Sequence, residues 1–132
     1  MNALDAVITL VESNAQLSLV EAAVGEVLFS AIVLETALSN PLLKPGISVK
    51  LLFKEMEVSL AKHLTGELSL RNRFPVEVLA IEQGAILSAV KLSFQGQILN
   101  SVITTRSLLR MQIVVGEHIE ALVKSNEIVI AS

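Results

Sequence analysis

The stretch ILSAVKLSFQGQILNSVITT, residues 86–105, decides the fold. In its first half Val90, Leu92 and Phe94 fall on alternate positions, with Lys91 and Ser93 between them. That two-residue period places apolar side chains on one face of a strand and polar ones on the other. Gln95-Gly96 reads as a tight hairpin turn, since glycine accepts the positive φ such turns require. Residues 97–105 (QILNSVITT) then return as a second strand. Upstream, residues 75–82 (PVEVLAIE) alternate in the same way. Downstream, residues 106–112 (RSLLRMQ) lack β-branched side chains and fit a short helical turn. Gly116 opens a strand at 117–124 (EHIEALVK), and 127–131 (EIVIA) makes a last one. Three strands, a short helical turn and two more strands are the order of a five-stranded barrel of the oligonucleotide/oligosaccharide-binding type.

The same pattern is written twice. Sliding the chain by 70 positions aligns residues 2–62 with 72–132 without a gap, and twelve of those 61 pairs are identical, from Asn2/Asn72 to Ala61/Ala131. Apolar exchanges stay in phase elsewhere, as in Ile8/Val78, Phe29/Leu99 and Val58/Ile128. This is an internal duplication. It predicts an all-β protein of two tandem barrel domains, residues 1–64 and 65–132, each with a short helical turn between its third and fourth strands. Residues 15–39, rich in Ala, Leu and Glu, would pass for a helix on propensity. Their in-phase match to a β-patterned partner assigns them to strands instead. Units of this size build small cores, so the two are expected to pack together or on copies of themselves.

Composition excludes several classes. The chain of 132 residues is 52% hydrophobic, carries a net charge of −3 and has only four aromatic residues, all Phe. Without a basic footprint, Tyr or Trp, it is not built to bind nucleic acid. Glu21, Glu26 and Glu35 break its most apolar region, so no segment is expected to insert in a membrane. The N-terminus MNALDAV has no basic region and does not read as a signal peptide. No cysteine is present, which fits a cytoplasmic setting. Two histidines, His63 and His118, and one aspartate, Asp5, offer neither a metal-ligand set nor a catalytic triad. An enzyme is not expected. Apolar excess on a soluble chain points to an oligomer that buries it.

Against this background three clusters of hydrogen-bond donors stand out. They are Ser69-Leu70-Arg71-Asn72, Thr104-Thr105-Arg106-Ser107 and Lys124-Ser125-Asn126, all at strand ends where a barrel places its loops. Hydroxyls, a guanidinium, an ammonium and an amide, with no carboxylate before Glu127, suit a compact oxyanion held by charge-assisted hydrogen bonds. The same residue types at strand ends also serve as caps and turns, and a single Lys or Arg there is often simply solvated.

Ser69-Leu70-Arg71-Asn72 resembles the S-x-R-N signature that opens a molybdate-binding (Mop, or TOBE-type) domain. Ala121 to Ile128 (ALVKSNEI) is similar to that family's second motif, an apolar strand ending in Lys, a small residue and then an acid. Ile103 to Ser107 resembles its I-T-x-x-S segment, and Gly116 its turn glycine. All of the second repeat is covered, and the first follows more weakly through Gly46, Lys54 and Glu57. Two tandem copies resemble the di-domain molbindins.

The resemblance implies an OB-like barrel per repeat and molybdate or tungstate as the bound ligand, with no redox or organic cofactor. Ser69, Arg71 and Asn72 would form one side of a site; Lys124 and Ser125, with Thr104, Thr105 and Ser107, would form the other, from a neighbouring domain. It also implies a cytoplasmic homo-oligomer, trimer or dimer, with sites at domain interfaces, serving storage and homeostasis of molybdenum. The alternative is a ligand-sensing module of a molybdate-responsive regulator or of a transporter ATPase. The first repeat departs from the pattern. Only Asn2 remains of its S-x-R-N, Leu34-Glu35-Thr36-Ala37 replaces the Thr/Ser cluster, and Glu55 stands beside Lys54 where a small residue is expected. Lys54 is therefore expected to act, if at all, with Arg71 of the second repeat, and the chain to hold fewer sites than a symmetric duplication would.

Overall fold

The computed structural model describes all 132 residues, Met1–Ser132. Ten strands form two five-stranded antiparallel sheets. In the first repeat they are β1 (Asn2–Ser13), β2 (Ser18–Val24), β3 (Val27–Val33), β4 (Ser48–Phe53) and β5 (Ser59–Ala61). In the second they are β6 (Asn72–Gln83), β7 (Leu87–Phe94), β8 (Gln97–Thr104), β9 (His118–Val123) and β10 (Val129–Ala131), with one helix, α1 (Thr105–Met111), between β8 and β9. Single 3-10 turns at Glu55–Glu57 and Ser125–Glu127 precede the last strand of each repeat.

The long first strand of each repeat does the work of two. Asn2 to Val7 pair with β4, and from Val7 onward β1 pairs with β2, with a shift in register between Ile8 and Leu10. β6 repeats this, with β9 on its first half, β7 on its second and a shift between Val78 and Ala80. Such irregularities bend and twist a strand, so each sheet curls into a half-barrel. Gln95 (φ 50°) and Gly96 (φ 79°) form the two-residue turn joining β7 and β8. Residues 18–33, ambiguous by composition, are β2 and β3.

The sheets do not follow the chain halves. The first has the order β10-β4-β1-β2-β3 and the second β5-β9-β6-β7-β8, so each repeat lends its last strand to the other. An exchange that is reciprocal relates the repeats by an operation that returns to its start after two applications, an approximate two-fold axis. Matching hairpin tips meet beside it: Gly25 is held at φ 59°, which favours glycine, and a Cβ there would press on the flexible end of Gln95.

Buried side chains from both repeats merge into one cluster of 26 residues. At its centre Phe29 of β3 meets Phe74 of β6 at 4.9 Å between ring centroids, and Phe74 meets Phe94 of β7 at 4.8 Å. In the 70-residue register their counterparts are Leu99, Leu4 and Val24, all buried. At these three positions the core is therefore aromatic on one side of the axis and aliphatic on the other.

The short helical turn expected in each repeat becomes a helix only in the second. There the Thr104 hydroxyl accepts from the Ser107 N–H at 3.1 Å, an N-cap. The first repeat has Leu34 and Ala37 at those positions, and Pro41 lacks a backbone donor. What remains is one turn, in which Thr36 O accepts from Ser39 N and Asn40 N. The aromatic cluster sets a testable cost. Phe74→Ala should destabilise by about 3–5 kcal/mol, whereas Phe74→Leu, copying Leu4, should cost only about 1–1.5 kcal/mol, both read by urea denaturation.

Candidate functional site

The chain reaches β6 through Gly66, held at φ 85°. A tight turn follows, with Arg73 N donating to Arg71 O at 3.0 Å, and it lifts Arg71 away from the ladder. On the far side of β6, β9 ends at Val123 and Lys124 opens the 3-10 turn, where Glu127 N donates to Lys124 O at 2.9 Å. These two segments face each other across an open groove of about 610 Å³. It is lined by Leu68, Ser69, Leu70, Lys124, Ser125 and Asn126, and by Ile32 of β3 from the other repeat. The first and third donor clusters thus converge, and they do so at the seam between repeats.

Asn72 forms the floor of that seam. Its Oδ1 accepts from Ser30 N at 2.7 Å and its Nδ2 donates to Ser30 O at 2.9 Å, with only 1% of the residue exposed. Across the axis Asn2 makes the same pair of bonds to Asn100, at 2.8 and 2.9 Å. A carboxamide engaged in this way ties two strands together. Ser30 Oγ lies 2.8 Å from Ser125 Oγ, which fixes the Ser125 hydroxyl in the groove wall. Arg71 stands at the edge, exposed, its Nη2 3.3 Å from Glu21 Oε2 of β2.

The remaining expected residues lie elsewhere. Thr104 and Ser107 line a second hollow of about 370 Å³, with Arg110, Met56 and Leu60. Thr104 Oγ1 donates to Ser107 Oγ at 3.0 Å, which leaves the Ser107 hydroxyl proton free to point outward. Thr105 is 7% exposed and its hydroxyl is 2.7 Å from Ser88 Oγ while donating to Gly84 O at 2.8 Å, so it braces the helix start. Within one chain, Lys124 and Ser125 stand with Ser69, and the Thr/Ser cluster stands apart from both. Lys54 opens the 3-10 turn that packs on β8, at the mirror-related seam, and the chain does not bring it to Arg71.

Several residues of the seam were not singled out by sequence. Ser30 carries a signal in hindsight: it interrupts the apolar run of β3 in register with Asn100. Arg73 forms a two-pronged pair with Glu120, at 3.0 and 2.9 Å, which removes its charge from the groove and raises the guanidinium's affinity for its proton. Lys62 of the first repeat donates to Met111 O at 2.7 Å and Gln112 O at 3.1 Å, capping α1, and pairs with Glu117 at 2.7 Å. The Lys62 ammonium holds the Glu117 carboxyl below its ordinary value, against an opposing push from burial, with further help from the Val114 N–H. Neither Arg73 nor Lys62 has a spacing that marks it.

Strand order, the register shift in each first strand and a ligand-sized seam define a tandem protein of the OB-like class. Residues 68–130 match the TOBE domain family. Over nearly its whole length the chain is similar to a molybdate-bound crystal structure of the cytoplasmic molybdate-binding protein ModG, with TM-score 0.90 and 25% identity, covering 98% of this chain and 94% of that one. It is also 37% identical over 89 residues to the molybdenum import ATP-binding protein ModC of Brucella abortus and of Brucella suis, which covers 67% of this chain. The chain spans about a quarter of the length of those curated relatives, 25% of each. The second repeat carries the TOBE domain match, and the chain as a whole shares its tandem fold with the ModG structure.

Two outcomes test the seam. Asn72→Ala leaves Ser30 N–H and C=O without partners and should cost about 2–4 kcal/mol in urea denaturation, as should Asn2→Ala at the mirror position. Glu117's folded-state value lies below its ordinary 4.5, so its stabilising contribution is complete above that pH and is lost as pH falls through the lower folded value. Lys62→Met should be less stable than the wild type by about 1 kcal/mol at neutral pH. That gap should narrow as the pH is lowered below 4.5.

Proposed function

We propose that the protein binds molybdate, with tungstate as an equivalent ligand, in the groove between Ser69 and Lys124-Ser125, and that it serves intracellular storage and homeostasis of molybdenum in the cytoplasm. The observation that carries this reading is the convergence of Ser69, Lys124 and Ser125 on one groove, with Arg71 next along the chain from its lining residue Leu70. The likeness to molybdate-bound ModG supports the choice of ligand and the cytoplasmic setting. The role is binding rather than catalysis: the groove offers donors and a cation but no base or nucleophile poised against a reacting atom.

The ligand is a compact dianion. Lys124 supplies charge, and the hydroxyls of Ser69 and Ser125 and nearby backbone N–H groups supply short donors. Each charge-assisted hydrogen bond contributes about 1.5–3 kcal/mol. The groove is open, and a neighbouring copy closes it in this reading, presenting Thr104 and Ser107 to the anion. Exposed Leu109 on α1 and Val114 and Val115 just beyond it, with Leu34 and Leu38 of the first repeat, are the apolar surface such an oligomer would cover. The mirror seam is not equivalent, because Glu55 occupies the position of Ser125 and a carboxylate repels a dianion. The ModC relatives support a second reading, in which the same fold acts as the ligand-sensing part of a transporter ATPase.

Calorimetric titration with molybdate, tungstate and sulfate tests the reading. Molybdate and tungstate should saturate, at one site per chain. Arg71→Ala should weaken binding by about ten- to a hundredfold, the equivalent of one charged hydrogen bond. Ser125→Glu, which copies the mirror seam, should abolish it. Saturable binding that both variants leave intact would place the anion elsewhere.

A further inference from the structure

The guanidinium beside the groove is not free. Arg71 lies against the Glu21 carboxylate, 3.3 Å between Nη2 and Oε2, and Arg71 is the one cation paired with that carboxylate. Glu21 belongs to β2 of the first repeat, and its cross-strand partner on β3 is Ser30. Partners directly opposite in an antiparallel ladder point to the same face. The Glu21 carboxylate therefore shares a face with the Ser30 hydroxyl, which contacts Ser125 of the groove wall, and with Ile32, which lines the groove. An acid of the first repeat thus stands on the face that borders the groove and is engaged with the guanidinium of the first donor cluster.

We infer that Glu21 is an internal counter-ion that occupies Arg71 in the empty site and must be released when the oxyanion binds, so that it sets the affinity below what the donors alone would give. This rests on the groove being the oxyanion site. The physical argument is a competition between two anions for one guanidinium. Arg71 is about two-thirds exposed at its side chain, 67%, so its pair with Glu21 is weak and readily exchanged. Glu21 is less exposed, 21%, and is held by its strand, so it cannot follow Arg71 toward the ligand. Once the dianion has Arg71, Glu21 is left unpaired beside a like charge, which adds to the cost of binding. The device also links the repeats: the residue that restrains the ligand-binding arginine of the second repeat belongs to the first. At the mirror position the chain has Lys91, so the restraint exists on one side only.

Glu21→Gln keeps the shape and a hydrogen-bond acceptor while removing the charge. Molybdate titration of the wild type, Glu21→Gln, Arg71→Ala and the double variant reads the outcome. Glu21→Gln should bind about three- to tenfold tighter than the wild type, and its gain should shrink when Arg71 is absent. Damage to the fold or loss of a positioning contact would weaken binding, so the direction separates the two roles. Glu21→Asp, which keeps the charge, should stay on the wild-type side. If Arg71→Ala loses binding while Glu21→Gln is unchanged or weaker, the counter-ion role is overturned and the site stands. If Arg71→Ala binds as the wild type does, or if neither the wild type nor Glu21→Gln binds molybdate, the site itself is wrong and the inference falls with it.

Discussion

The carboxamide of Asn72, closed on both backbone groups of Ser30, is the contact on which the rest of the structure depends. It joins the start of β6 to β3 of the other repeat, and Asn2 does the same for β1 and β8 across the axis. Beside each junction a three-residue strand crosses over, β10 onto β4 and β5 onto β9. Without the partner repeat, the outer edges of β4 and β9 would expose unpaired N–H and C=O groups, and a buried ladder group left unpaired costs about as much as a lost hydrogen bond. Neither half of the chain contains a whole sheet. The groove lies at the seam because the seam is where one repeat ends its strands on the surface of the other.

The frame is nearly symmetric and the chemistry on it is not. Both repeats keep the asparagine clamp, the register shift in the first strand and the 3-10 turn before the last strand. They differ where a ligand or a helix would be made. Ser125 faces Glu55 across the duplication, Thr104 faces Leu34, Glu21 faces Lys91, and the Phe29, Phe74 and Phe94 cluster faces Leu99, Leu4 and Val24. Ser125, Glu21 and the three clustered phenylalanines lie on the Asn72 side, whereas Thr104 and its helix stand beside the mirror seam. Phe74 follows the Asn72 clamp by two residues and Phe29 precedes Ser30 by one, so the stiffest part of the core lies directly behind the groove that carries the donors. Rigid backing of a binding surface limits the motion its side chains must lose on binding a small ion.

How much of this was legible follows from what each residue type can hide. Residues 86–105 declared two strands and their turn because one face is buried and the other is not, so the period survives in the sequence. β2 and β3 were legible only through their register with β7 and β8, since Ala, Leu and Glu suit helices as well. The strand exchange was invisible for a physical reason. β5 meets an equivalent edge whether it pairs with its own repeat or the other, so the same residues serve both arrangements. Ser69, Lys124 and Ser125 could be assembled from motifs. Asn72 could not be placed, because a carboxamide that clamps two strands and one that binds an anion look alike in sequence. Glu21 carried no binding signal: in the sequence it is one of three glutamates, with Glu26 and Glu35, that interrupt the most apolar region.

A chain with a net charge of −3 that holds an anion must do so through local arrangement rather than its overall field. Its cations divide into two kinds. Lys50, Lys62, Arg71 and Arg73 are each matched to a carboxylate, at 2.7, 2.7, 3.3 and 2.9 Å. Lys124, in the groove wall, has no such partner. In the empty groove, then, the standing positive charge is that of Lys124, while the charge of Arg71 is largely offset by Glu21. On the proposed reading this separates encounter from capture. An arriving oxyanion is drawn first by the unpaired ammonium, and only an anion that binds the guanidinium better than the Glu21 carboxylate does can claim Arg71 as well. Of the four matched pairs the longest is that of Arg71, and on this reading it is the one a ligand has to break.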